Sequence, residues 1–127
     1  MTLRVHSARI SYGGPDRLDV TRKSGTGGLF LAPSWAILRP AINDRRAGLP
    51  FDWARYVEAY IAEMRESYRW YRTEWQELLS RDRVTLVCYC TDPIQCHRHL
   101  LRERILPALG AVDAGEVVEQ PAQGRLL

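Results

Sequence analysis

Lysine is almost missing from this chain. All but one of its 18 basic residues are arginine, Lys23 being the exception, and there are only three cysteines, three histidines and two phenylalanines. No apolar run approaches the roughly 20 residues that a membrane-spanning helix needs, so no membrane partner is expected. The opening Met1-Thr2-Leu3-Arg4-Val5 has no secretory apolar region, and a cytoplasmic protein is the default expectation. An odd number of cysteines is not a complete disulfide framework; in a reducing compartment they read as thiols, ligands or nucleophiles. No Gly-Lys-Ser or Gly-Lys-Thr occurs, so a Walker phosphate loop is excluded. The net charge of +3 is too mild to argue nucleic-acid binding by itself. Arginine's rigid fork suits phosphate and carboxylate, but a GC-rich genome also produces an arginine excess.

What is present suffices for a core. The chain has 127 residues, 46% of them hydrophobic, which predicts one domain over 1–127 that folds without metal or disulfide staples. Leu3 to Ile10 reads as a first strand stopped by Ser11-Tyr12-Gly13-Gly14-Pro15. Leu18 to Val20 reads as a short strand, followed by the polar, glycine-rich loop Thr21 to Gly28. Ser34 is placed to cap a short helix, Trp35 to Leu38, that ends before Pro40; Asn43 to Pro50 reads as a charged connection. From Asp52, a plausible N-cap, Trp53, Tyr56, Val57, Tyr60, Ile61, Met64, Tyr68, Tyr71, Trp75, Leu78 and Leu79 recur at spacings of three and four. No Gly or Pro interrupts that stripe, which predicts one long helix to Leu79. The part overhanging a sheet would line a pocket or meet a second copy of the chain in a homodimer.

Val84 to Cys88 is a continuous apolar run, the pattern of a strand buried on both faces. Cys96 to Leu109 reads as a helix with Leu100, Leu101, Ile105, Leu106 and Leu109 inward, Arg98, Arg102 and Arg104 elsewhere, and Gly110 as its stop. Val117-Val118 reads as a last strand and residues from about 120 as a loose tail. Strand, loop, helices, strand, helix, strand is the order of an α/β domain with a mainly parallel, Rossmann-like sheet flanked by helices. Chemistry in such sheets sits where strand ends meet helix starts. Here that place holds all the cysteines and two of the histidines, between Cys88 and His99.

The stretch Leu86-Val87-Cys88-x-x-x-Asp92-Pro93-x-x-Cys96-His97-Arg98 resembles the hallmark of the YeaO-like group, the DUF488 family. Its members show a strand ending in Cys, then Asp-Pro, then Cys-His-Arg opening a helix. Leu18-Asp19-Val20-Thr21-Arg22 resembles a displaced version of the family's Asp-Val-Arg segment, with an extra Thr. Cys90 departs from the usual pattern. The resemblance implies a small Rossmann-like domain, and its polar cluster suggests an enzyme; it implies no particular reaction.

Several roles remain open for these residues. Cys96 is a nucleophile or redox thiol at a helix start beside cations, a small core residue, or a metal ligand. Cys88, Cys90, Cys96 and His97, with His99 in reserve, match a Cys3His zinc donor set, but the usual Cys-x2-Cys knuckle is absent. Cys96 to Arg102 fits Cys-x5-Arg, yet the intervening residues read as helix rather than as a phosphate-circling loop. His97 is the natural acid/base group or a local hydrogen-bonding partner. Asp19 is a general base, a ribose-hydroxyl acceptor or a partner of Arg22. Asp92 is a turn former or the group that orients His97 or Arg98. Arg98 offers a bidentate fork for an anion, and Arg22, Lys23 and Ser24 would close over the same ligand. Tyr12, beside Gly13, and Trp35 are placed to stack a base or to pack in the core.

The expectation is therefore a small enzyme with Cys96, His97 and Asp19 as catalytic groups. Arg98, Arg22, Cys88, Asp92, Tyr12, Gly13, Lys23 and Ser24 would bind substrate or anion, without metal or cofactor. Its partner would be a phosphate-bearing small molecule or nucleic acid. The alternatives are a non-catalytic nucleotide or nucleic-acid binding module, or a structural or redox Cys-His site.

Overall fold

The computed structural model describes residues 2–90 and 95–118. Four strands, β1 (Arg4–Arg9), β2 (Arg17–Asp19), β3 (Arg83–Cys88) and β4 (Val112–Glu116), form one sheet in the order β2-β3-β1-β4, and every neighbouring pair is parallel. This is the expected α/β class, consistent with a Rossmann-like sheet. β3 lies between two partners and buries Val84 through Cys88, as its unbroken apolar run requires. β4 begins earlier than expected, at Val112, and Val117 follows it with only a backbone bond to Ser7 O (2.7 Å). The register against β1 slips between Val5 and His6, and Gly115 takes φ +91° there, a conformation glycine adopts without steric penalty. The tail falls outside the described residues.

β1 reaches β2 through residues 10–16 without a helix. Asp16 pins that connection: its carboxylate accepts from Tyr12 Oη (2.6 Å), Thr85 Oγ1 (2.6 Å) and Arg83 Nε (3.0 Å), and its carbonyl accepts from Thr85 N (2.9 Å). Burial works to raise the Asp16 pKa, but these donors outweigh it and leave it at about 2.

Three helices follow: α1 (Trp35–Arg46), α2 (Trp53–Trp70) and α3 (Arg72–Leu79). α1 is longer than the sequence suggested, because it continues through Pro40 into the stretch read as a connection. Proline removes one helical donor, but it does not stop the chain here. Asp52 caps α2 as expected, accepting from Arg55 N at 3.1 Å. The long stripe, however, is broken at Tyr71 (φ −117°, ψ 39°). In an unbroken helix, residues eight apart lie about 80° apart around the axis. The break instead lets Trp75 bury fully and donate from Nε1 to Ser67 Oγ (3.0 Å), while Ser67 donates to Phe30 O (2.5 Å). A last helix over 97–108, α4, contains a π-turn at Leu101–Ile105 between α-helical ends. Tyr60, Met64, Trp75, Leu78, Leu101 and Leu106 join β-strand residues such as Leu86 in a single core cluster. No helix among the described residues is long and apolar enough to cross a membrane.

Candidate functional site

β3 delivers Cys88 to the carboxyl edge of the sheet, and the extended residue Cys96 (φ −147°, ψ 148°) precedes α4. Their Sγ atoms stand 2.8 Å apart in the interior. Arg98, expected off the inward face, is instead wholly buried against them. Its Nη1 donates to Cys88 Sγ (3.0 Å) and Cys90 O (2.7 Å), with Cys96 Sγ at 3.6 Å. Nη2 and Nε reach Glu116 of β4 at 2.8 and 3.3 Å, and Glu116 also accepts from Ser7 Oγ of β1 (2.5 Å). A buried guanidinium needs this counter-charge and these acceptors to be tolerated. Arg102, also expected elsewhere, is buried too, between Asp113 (2.6 Å), Glu103 (2.7 Å) and His99 Nδ1 (3.1 Å); Arg104 is exposed.

The two thiols are thereby made unequal. The hydrogen bond from Cys96 and the Arg98 charge outweigh burial and lower the Cys88 pKa. Cys96 is pushed well up by its contacts with Cys88 and Cys90 and by burial. The negative charge belongs on Cys88 and the proton on Cys96. His97 Nε2 lies 2.9 Å from Val20 O. A carbonyl only accepts, so this contact assigns the proton to Nε2 and leaves the Nδ1 lone pair facing Cys96 Sγ at 3.9 Å. Burial lowers the His97 pKa to about 4, so the ring is neutral near pH 7; it packs edge-on to Tyr60.

Cys88, Cys96 and His97 place three potential ligand atoms within 4.8 Å of one another. The Arg98 guanidinium donates to the same sulfurs, so a metal ion there would compete with it for their lone pairs.

These three residues floor a cavity of about 300 Å³. Trp35, Leu38, Ala41 and Ile42 of α1, with Phe51 and Tyr56, make its walls; Thr21, Arg22, Lys23, Pro33, Arg45, Tyr89, Cys90 and Gln95 also line it among the described residues. Arg45 lies over the Phe51 ring (4.5 Å) and donates to Cys90 Sγ (3.7 Å) and Gln95 O (3.4 Å). The glycine loop and the Cys-His-Arg segment thus meet, as the sheet-edge reading required.

Other expected residues have different employment. Arg22 clamps its own segment, donating to Ala32 O (2.9 Å), Pro33 O (3.1 Å) and Leu29 O (3.4 Å). Asp19 shapes the turn by accepting from Thr21 N (2.9 Å) and Ser24 Oγ (2.6 Å), and Ser24 also takes the Tyr89 hydroxyl (2.9 Å). Burial raises the Asp19 pKa, but the Ser24 and Thr21 donors win and lower it. A Cβ on Gly25 or Gly28 would collide with the Asp19 carbonyl, so the loop is wrapped tightly on the strand end. Tyr12 points to Asp16 instead of stacking in the cavity, and neither it nor Gly13 is in the cavity lining. Asp92 lies outside the described residues. Glu116, Ser7, Arg45 and Tyr56 were not among the expected site residues. Glu116 ends β4 and Tyr56 lies on the helical stripe, but nothing local in the sequence marks Ser7 within β1 or Arg45 in α1.

A family model for DUF488-N3a, described as the active DUF488-N3 subclade, matches residues 29–108. That span includes the cavity walls, β3 and the cysteine cluster, and leaves out the glycine loop and Glu116. No curated protein and no solved structure matches the chain.

Proposed function

This chain belongs to the DUF488 family, and we propose that it is a thiol-dependent enzyme acting on a small, phosphate-bearing nucleotide or nucleic-acid component. The observation that carries this reading is the Cys88 sulfur on the cavity floor, held at 3.0 Å by a fully buried Arg98. A cation hydrogen-bonded to sulfur favours the thiolate, which is the nucleophilic form. The nucleophile is therefore moved from Cys96, the sequence-based candidate, to Cys88. Cys96 supports it as hydrogen-bond donor, its one proton directed to Cys88 Sγ, and neutral His97 packs behind it with Nδ1 3.9 Å from Cys96 Sγ. The anion-binding role moves as well. The Arg98 fork is already engaged by Glu116 and Cys90 O, so a phosphate would meet Lys23 and Arg45 at the cavity lining. Trp35, Phe51 and Tyr56 offer aromatic faces to a base, and the cavity volume of about 300 Å³ is at the small end of ligand pockets. The family model's description as an active subclade agrees with catalysis.

The test is a panel of nucleosides and nucleoside 5′-monophosphates, followed for turnover and for binding. Cys88→Ser is expected to retain binding and lose turnover by roughly 10²-fold or more. Lys23→Ala is expected to weaken monophosphate binding while leaving nucleoside binding in place. Undiminished turnover by Cys88→Ser, or a wild-type protein that binds no member of the panel, would overturn the reading.

A further inference from the structure

The cluster contains more sulfur than a single nucleophile requires. Cys96 is buried, 2.8 Å from Cys88, and shares the Arg98 guanidinium with it. Both cysteines are 3% exposed or less, yet both line the cavity of about 300 Å³. The third cysteine, Cys90, is half-buried and sits against Gln95 O (3.8 Å) and Arg45 (3.7 Å). We propose that Cys88 and Cys96 form an oxidation site for small hydroperoxides, which convert the pair to a disulfide and disable the cavity floor. The inference rests on the reading of Cys88 as the reactive thiolate.

The chemistry balances with hydrogen peroxide as the only oxidant. The Cys88 thiolate attacks one peroxide oxygen; the O–O bond breaks, Cys88 becomes a sulfenic acid and hydroxide leaves. Cys96 gives its proton to that hydroxide, forming water. The Cys96 thiolate then attacks the Cys88 sulfur, the S–O bond breaks, and a second hydroxide departs to take a proton from solvent. Two sulfurs are oxidised by one equivalent each and one peroxide is reduced by two electrons. Arg98 Nη1 faces both sulfurs and is placed to hold the charge wherever it stands during the exchange. Size selects the oxidant. Hydrogen peroxide is little larger than a water and enters such a cavity to reach sulfurs that are 3% exposed or less. The closed form removes both the thiolate and its hydrogen-bond donor, so it is inactive. A small dithiol restores it by exchange.

The test uses the whole reduced chain and equimolar hydrogen peroxide, read by intact mass and peptide mapping. The expected result is a loss of about 2 Da, a Cys88–Cys96 cross-linked peptide, and full reversal by dithiothreitol. Cys90→Ser should behave the same way. Cys96→Ser should instead accumulate a Cys88 sulfenic acid that dimedone traps. A cross-link through Cys90, persistence of both free thiols, or stoichiometric zinc that shields them would overturn the inference. Disulfide formation in a protein that turns over no nucleotide would leave the inference standing and remove the proposed substrate. Turnover that continues after peroxide treatment would do the reverse.

Discussion

At the scale of single residues, the site depends on who holds a proton. Cys88 and Cys96 are chemically identical in the sequence, and the fold brings both, with His97, to one cavity. Their inequality comes from Arg98, which reaches back to Cys88, and from Glu116 on another strand, which fixes Arg98. Contacts made across 18 residues of chain leave no local signature, so the thiolate proposed at Cys88 could not be chosen from sequence. Arg98→Met should raise the pH at which Cys88 becomes reactive, because the cation that stabilises its thiolate is gone. The same change leaves Cys90 O and Glu116 short of a donor. Glu116 is 23% exposed in its side chain and recovers part of its solvation, so the expected cost is about 1–3 kcal/mol in a urea melt.

At the scale of elements, periodicity located the helices but not their ends. The aromatic stripe over 53–79 was readable as helix, and the Asp52 cap was readable as its start. The break at Tyr71 was not, because no glycine or proline announces it. It arises from the hydrogen-bond chain Trp75 Nε1 to Ser67 Oγ to Phe30 O, a tertiary demand. Ser67→Ala leaves a buried indole N–H and a carbonyl unpaired and should destabilise the protein by about 1–3 kcal/mol, seen as a lower urea midpoint with an unchanged slope. The opposite error occurred at Pro40, where a local stop signal was overridden. Pro40→Ala restores a helical donor in α1, the cavity wall, and relaxes the unfolded chain; a net gain of about 1 kcal/mol is expected in thermal melts.

At the scale of the whole molecule, parallel α/β packing was legible from the order of elements and from β3's continuous apolar run. The sheet edge then assembled the site. Cys88 comes from β3, Glu116 from β4, Ser7 from β1, and His97 is tied to Val20 just past β2. Stability and site integrity are thus linked through one buried ring. The His97 pKa falls from 6.5 in the unfolded reference to about 4 in the fold, so the unfolded chain binds the extra proton between those values. Stability should therefore rise with pH across that window and be lost as pH drops through it. The size is of the order of 3 kcal/mol for a fully buried group. Urea midpoints measured from about pH 4 to about pH 7 should show this slope, and His97→Gln should flatten it.

The most direct measurement is site-resolved alkylation of the reduced wild-type chain by iodoacetamide as pH is raised from about 5 to about 9. We expect Cys88 to be labelled first, ahead of the more exposed Cys90, with a rate that levels off below the pH of an ordinary thiol. Labelling that begins at Cys90 or Cys96, or a Cys88 rate that climbs only in the ordinary thiol range, would contradict the assignment of the thiolate to Cys88.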